Sequence, residues 1–236
     1  MSKKLAIIFP GIGYTYERPL LYYSKKILMK NGYEIFLVDY PNEKKDGVLE
    51  SKDKLLQFVA SVEDVVWKQL ENIGYSAYDK IVFVSKSIGA VVGAVYAKKK
   101  GIKPYHLMIT PIDFAFSFIE DERGSAFCGT EDPLVNFEGV KNICKEKQWD
   151  FYEFKRGNHS LETGDIERDV NYLQRFVSIT AQTVEDLDKS IYDFEIECRN
   201  QNTKSMEVRH QEQKKKSILF VLPDMIFHLS SLQKSM

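Results

Sequence analysis

The 236-residue chain contains only three cysteines, Cys128, Cys144 and Cys198, odd in number and unclustered. That excludes a zinc-type ligand spacing and argues against a disulfide framework. No apolar run approaches the ~20 residues that a membrane crossing requires. Lys3 and Lys4 precede an apolar segment, but Pro10-Gly11 stops Leu5–Phe9 short of a signal-peptide core. An excess of one charge is also missing. The 33 Lys and Arg against 34 Asp and Glu leave a formal net charge of −1, so nothing draws the chain in bulk to nucleic acid or to an anionic membrane. No phosphate-cradling Gly-x-x-x-x-Gly-Lys-Ser/Thr occurs. Gly11-Ile12-Gly13 lacks the third glycine of a dinucleotide loop and runs into Tyr14-Thr15-Tyr16. The expectation from these absences is a cytoplasmic protein that needs no metal or organic cofactor, binds no nucleic acid and does not insert into a membrane.

What is present is a packed core in prospect, with 44% hydrophobic and 13% aromatic residues. Apolar runs at 5–9, 34–38, 81–84, 105–109, 125–128 and 150–154 read as strands. Helical spacing lies between them. Leu20, Tyr23 and Ile27 share a face after Pro19, and Leu55, Val59, Val62, Val66, Leu70 and Ile73 form a long stripe ended by Gly74. Residues 87–100, 135–147 and 165–177 complete the helices, while 112–124 resists assignment. Alternating strands and helices predict an α/β fold, a mostly parallel sheet of about six strands with helices on both faces. This domain is expected over 1–178. After it, residues 179–236 are polar and charge-mixed apart from an apolar stretch from Ile218. They read as a C-terminal extension, either helical, partly disordered or docked, with partner or membrane-surface binding as the alternative. There is no internal repeat.

The sharpest local signal is Ile81-Val82-Phe83-Val84-Ser85-Lys86-Ser87-Ile88-Gly89-Ala90. A buried strand ends in Ser-x-Ser-x-Gly, and a helix of small residues follows. Such a turn needs small residues two positions before and after its apex, and it lifts the apex hydroxyl above the sheet. Ser87 is thus a candidate nucleophile, with a plain helix cap as the competing role. Lys86, beside it, reads as a solvated ammonium or as an attractor of acidic substrates.

Ligands of parallel sheets bind at the carboxyl ends of the strands. Asp132 follows the fifth strand there, and His159 follows the sixth. Histidine can take the proton of an attacking serine and return it later. A carboxylate on the far ring nitrogen holds the tautomer. Each also has a simpler role open to it, His159 as a solvated loop residue and Asp132 as a cap ahead of Pro133. Glu131 and Asp113 compete with Asp132 for the acid role. The N–H of Ile88 and a second N–H from the loop after the first strand, that of Ile12, would hold an oxyanion. Gly11 and Gly13 let the backbone approach a substrate, while Tyr14, Tyr16, Phe114 and Phe116 are available as walls.

Phe9-Pro10-Gly11-Ile12-Gly13, Ser85-Lys86-Ser87-Ile88-Gly89, Gly129-Thr130-Glu131-Asp132-Pro133 and Gly157-Asn158-His159-Ser160 together make residues 5–177 resemble the α/β-hydrolase superfamily. Its small, cap-less members of the dienelactone-hydrolase-like kind are the nearest in form. The resemblance implies a Ser87–His159–Asp132 triad working through an acyl-enzyme on small carboxylic ester, thioester or related acyl substrates. It also implies that the first two strands of the full fold are missing. A non-catalytic protein of this fold, acting as a binding or interaction module, is the alternative, and a flavodoxin-like binding domain is a third. Homodimer formation and a tail-mediated partner stay open.

Overall fold

The structure, a computed structural model, describes residues 2–40 and 47–189. The chain divides into two units, Met1–Val184 and the remainder from Glu185. Almost all of the second lies outside the described residues, and with it the expectations for the C-terminal extension. In the first unit, strands β1 (Lys4–Phe9), β2 (Tyr33–Leu37), β3 (Lys80–Lys86), β4 (Tyr105–Ile109), β5 (Gly124–Gly129) and β6 (Asp150–Phe154) alternate with helices α1 (Pro19–Lys30), α2 (Lys52–Leu70), α3 (Ile88–Lys100) and α4 (Phe137–Glu146). Residues 166–184 add a fifth helix, α5, and 185–189 are helical as well.

Local chemistry sets the helix ends. Pro19 opens α1, where its missing N–H costs nothing. The Ser51 hydroxyl caps α2 by accepting from the Lys54 N–H, and the Asn136 side chain caps α4 from Gly139. Gly101 closes α3 in the left-handed conformation at φ 69°. The segment 112–124, ambiguous in sequence, holds a 3-10 turn at Asp113–Phe118. Phe116 is buried there with its ring 5.4 Å from Trp149, so it is a core residue rather than a cleft wall.

All strand pairs are parallel, in the order β2-β1-β3-β4-β5-β6. Both sheet faces are covered, which is why the central strands are apolar without alternation. One face carries Leu5, Ile7, Phe9 and Phe83 into a core shared with α2, α3 and α4. There the Phe9 and Phe83 rings lie 5.0 Å apart and Phe9 meets Tyr96 at 6.4 Å. Across the sheet, Phe127 packs on Phe176 of α5 at 4.9 Å. Each fully buried side chain of this size contributes roughly 1.5–3 kcal/mol. Strand order reverses between β1 and β3, so a crevice opens at their carboxyl ends.

Candidate functional site

Ser87 is the one residue between β3 and α3. Its backbone lies at φ 55°, ψ −122°, a sparsely populated conformation for a residue with a side chain. Such a conformation costs about 1–3 kcal/mol and persists only where the surroundings enforce it. Here the Ser87 N–H donates to the Ile109 carbonyl at 3.0 Å, and the Ser87 carbonyl accepts from Ala90 at 3.0 Å. Gly89 completes the turn by letting α3 press on β1. A Cβ at that position would stand 2.4 Å from the Phe9 carbonyl oxygen and 2.5 Å from that of Pro10. The Ser87 side chain makes no capping bond, so the helix does not occupy its hydroxyl. Ser85, in place of the more usual glycine, fits with its hydroxyl buried and unpartnered.

Asp132 and His159 are joined. Nδ1 of the imidazole lies 2.7 Å from Oδ2 of the carboxylate, whose side chain is fully buried. The other carboxylate oxygen accepts from the Leu134 N–H at 2.9 Å. Both oxygens are therefore satisfied, and the acid is fixed in rotation. Glu131 turns instead toward Arg156 at 3.9 Å, and Asp113 accepts from Asn136 at 3.2 Å. His159 is held in a tight loop built by Asn158, whose side-chain oxygen accepts from the N–H groups of Ser160 and Glu162. The acid and histidine loops touch directly: a Cβ at Gly129 would stand 2.1 Å from the Gly157 carbonyl oxygen. Glu131 also donates its N–H to that same carbonyl.

The loop after β1 forms a small hairpin in which Gly11 and Tyr14 exchange N–H···O bonds of 3.2 and 3.3 Å. Gly13 takes the left-handed turn position at φ 69°. Among the described residues, neither the Ile12 nor the Ile88 N–H donates to a backbone carbonyl outside regular elements. Ile88 is fully buried, and Ile12 is partly exposed. Gly11 abuts the elbow, since a Cβ there would meet the Ser87 Cβ at 3.4 Å. Among the described residues no hydrogen bond joins the Ser87 hydroxyl to His159.

Lys86 is not solvated, which corrects the sequence expectation. Its side chain has no exposure, so it offers no charge to an incoming substrate. Strand alternation explains this, because Lys86 points with Val84 to the α1 and α5 side of the sheet. Its ammonium donates to Thr110 Oγ1 at 2.5 Å and lies 5.1 Å from the centre of the Tyr14 ring. Burial pulls its pKa down to about 7, against a smaller upward pull from Asp132 and Cys128. Thr110, which sequence reasoning missed, sits at the carboxyl end of β4 at φ 42°. Its only sequence signal is the Thr-Pro step that ends the strand.

Two cavities flank this rim. One, of about 230 Å³, lies between Tyr14, Leu20 and Leu161 on one side and Val170 and Leu173 of α5 on the other. The second, of about 530 Å³, lies between Leu55 of α2, Phe114 and Leu134. Tyr14 and Phe114 are thus cavity walls, while neither Ser87 nor His159 lines either space. Among the described residues there is no cluster of three or more side chains able to hold a metal, and no helix long and apolar enough to cross a membrane.

No protein-family model and no curated protein matches this sequence. Solved structures do match its fold. Est1E from Butyrivibrio proteoclasticus, with ferulic acid bound, superposes with a TM-score of 0.57 at 12% identity, over 78% of this chain and 89% of its own. The dienelactone hydrolase of Anabaena variabilis gives 0.56 at 14% identity, over 77% of this chain and 85% of its own. An α/β serine hydrolase homologue from Coxiella burnetii gives 0.51 at 17% identity, over 78% and 85%. The chain has the α/β-hydrolase fold.

Proposed function

We propose that the protein is a serine hydrolase of small carboxylic esters, thioesters or related acyl compounds. The observation that carries this reading is the 2.7 Å Asp132–His159 pair, standing at the same sheet edge as a serine in a strained strand-to-helix turn. Such backbone strain and a buried acid on an imidazole are arrangements that folds maintain for chemistry.

In this reading Ser87 Oγ attacks the acyl carbon while Nε2 of His159 takes its proton. The carbonyl electrons move onto oxygen, where the Ile12 and Ile88 N–H groups hold the negative charge. The tetrahedral species collapses, the bond to the leaving group breaks, and His159 returns the proton to the departing alkoxide or thiolate. Water, deprotonated by His159, attacks the Ser87 ester and releases the carboxylic acid and the free serine. Asp132 keeps the proton on Nδ1, so that Nε2 is the base, and it stabilises the imidazolium. The cavities beside Tyr14 and Phe114 have mixed apolar and polar walls and are not lined by Ser87 or His159, so they suit parts of a substrate remote from the reacting carbonyl.

The test is covalent labelling by a fluorophosphonate probe together with hydrolysis of p-nitrophenyl esters of graded chain length. The wild type is expected to label and to turn over, and Ser87→Ala to do neither. Labelling that persists in Ser87→Ala overturns the assignment. The second reading, a binding module on a hydrolase fold, draws on the absence of a Ser87–His159 hydrogen bond. A wild-type protein that never labels favours it.

A further inference from the structure

Lys86 is the feature of the Ser-Lys-Ser-Ile-Gly turn that the proposed chemistry leaves unused. A lysine side chain with no solvent exposure is rare unless its ammonium has partners. Its partners here lie in the loop after β1 and at the end of β4, and through the latter it reaches the His159 loop. The stem runs beneath Gly11, where a Cβ would stand 3.3 Å from Lys86 Cγ. The ammonium faces the Tyr14 ring at 5.1 Å. It donates to Thr110 Oγ1 at 2.5 Å, and the single proton of that hydroxyl goes on to the backbone carbonyl of His159 at 3.2 Å. The Thr110 N–H is also fixed, on the Phe127 carbonyl at 2.7 Å, so the hydroxyl is presented from a rigid strand end.

We propose that Lys86 and Thr110 form a buried clasp that positions His159. The relay Lys86 Nζ–Thr110 Oγ1–His159 O ties the turn carrying Ser87 to the loop carrying the imidazole. The Asp132 bond fixes the ring from one side, and the clasp fixes the backbone beneath it. Both are positioning residues: neither reaches the reacting atoms. The Tyr14 ring lies against the Lys86 ammonium, and the charges that act on it are those of Asp132 and Cys128. Its full burial places it out of reach of a substrate, in line with a role that acts through the protein.

This inference rests on the serine-hydrolase reading for its kinetic arm but has a second arm that does not. Thr110→Val removes the acceptor and the donor at nearly constant volume, and Thr110→Ser keeps both. Misplacing a catalytic group by a fraction of an ångström to one ångström costs roughly ten- to a hundredfold. Thr110→Val is therefore expected to lower kcat by about that factor with KM within about twofold, and Thr110→Ser to restore it. Lys86→Met, which keeps the stem, is expected to behave like Thr110→Val. In the arm without turnover, the downfield NMR signal of the His159 Nδ1 proton is expected to broaden or shift in Thr110→Val and to recover in Thr110→Ser. Thermal unfolding confirms that each variant is folded. A folded Thr110→Val with wild-type kcat and an unchanged imidazole signal overturns the clasp. An inactive wild type with the NMR changes intact overturns the hydrolase reading alone.

Discussion

Gly89 lies against the backbone of Phe9 with no room for a methyl group, since a Cβ would come within 2.4 Å of the carbonyl oxygen. The obstacle is main chain at the end of the interior strand β1, which cannot swing aside as a flexible side chain can. This contact sets how deeply the amino end of α3 sits between the strands, and therefore how high Ser87 stands.

Gly89→Ala should destabilise the fold through overpacking, by about 3 kcal/mol. For a unit of this size that lowers Tm by roughly 6–12 °C. Differential scanning calorimetry reads the change directly. A Tm within a degree of wild type would show that α3 can retreat from β1 without cost.

Asp132→Asn isolates the acid. The amide oxygen can still accept from the Leu134 N–H, so the loop keeps its shape. The amide on Nδ1 favours the wrong tautomer, and kcat for ester hydrolysis is expected to fall by about 10³–10⁴-fold. Glu131→Gln, whose carboxylate faces Arg156, is expected to leave kcat within about twofold. A reversal of these two effects would move the acid role to Glu131.

Stability should rise with pH in two separate windows, because two buried bases have depressed pKa values. His106 is buried against Trp149, its Nε2 has no partner, and burial lowers its pKa to about 3 from 6.5. Between those values the unfolded chain binds a proton that the folded chain refuses. Stability is then lost as pH falls, by up to about 1.4 kcal/mol per unit. Lys86 behaves alike between about 7 and 10.5, where its burial cost fades as pH climbs. Urea unfolding should show the acid slope flattened in His106→Leu and the alkaline slope flattened in Lys86→Met. Unchanged slopes in both variants would mean that these groups titrate alike in the folded and unfolded chain.

The parallel α/β architecture was legible because most strands are apolar runs closed within a few residues by a proline, glycine or aspartate, and α1 and α2 carry an apolar stripe. The edges were less so. Residues 112–124 mix aromatics with charges, and only packing of Phe116 on Trp149 decides that part of the segment turns inward. At the site, the elbow announced itself through the small residues around Ser87. The 2.7 Å pairing of Asp132, rather than Glu131, with His159 depends on how a loop crosses the sheet edge. Lys86 was illegible. A lysine at the end of a strand reads as solvated, and what buries it is a threonine 24 positions away together with the hairpin at Gly11. Thr110 showed itself only as a strand stop.

The contact between Gly129 and Gly157 has a mechanical consequence. Two loops that meet main chain to main chain, at a spacing no side chain could enter, are one rigid part rather than two. Whatever displaces the imidazole carries its carboxylate along, so the pair travels as a cartridge and tuning of the site falls to its distance from the serine.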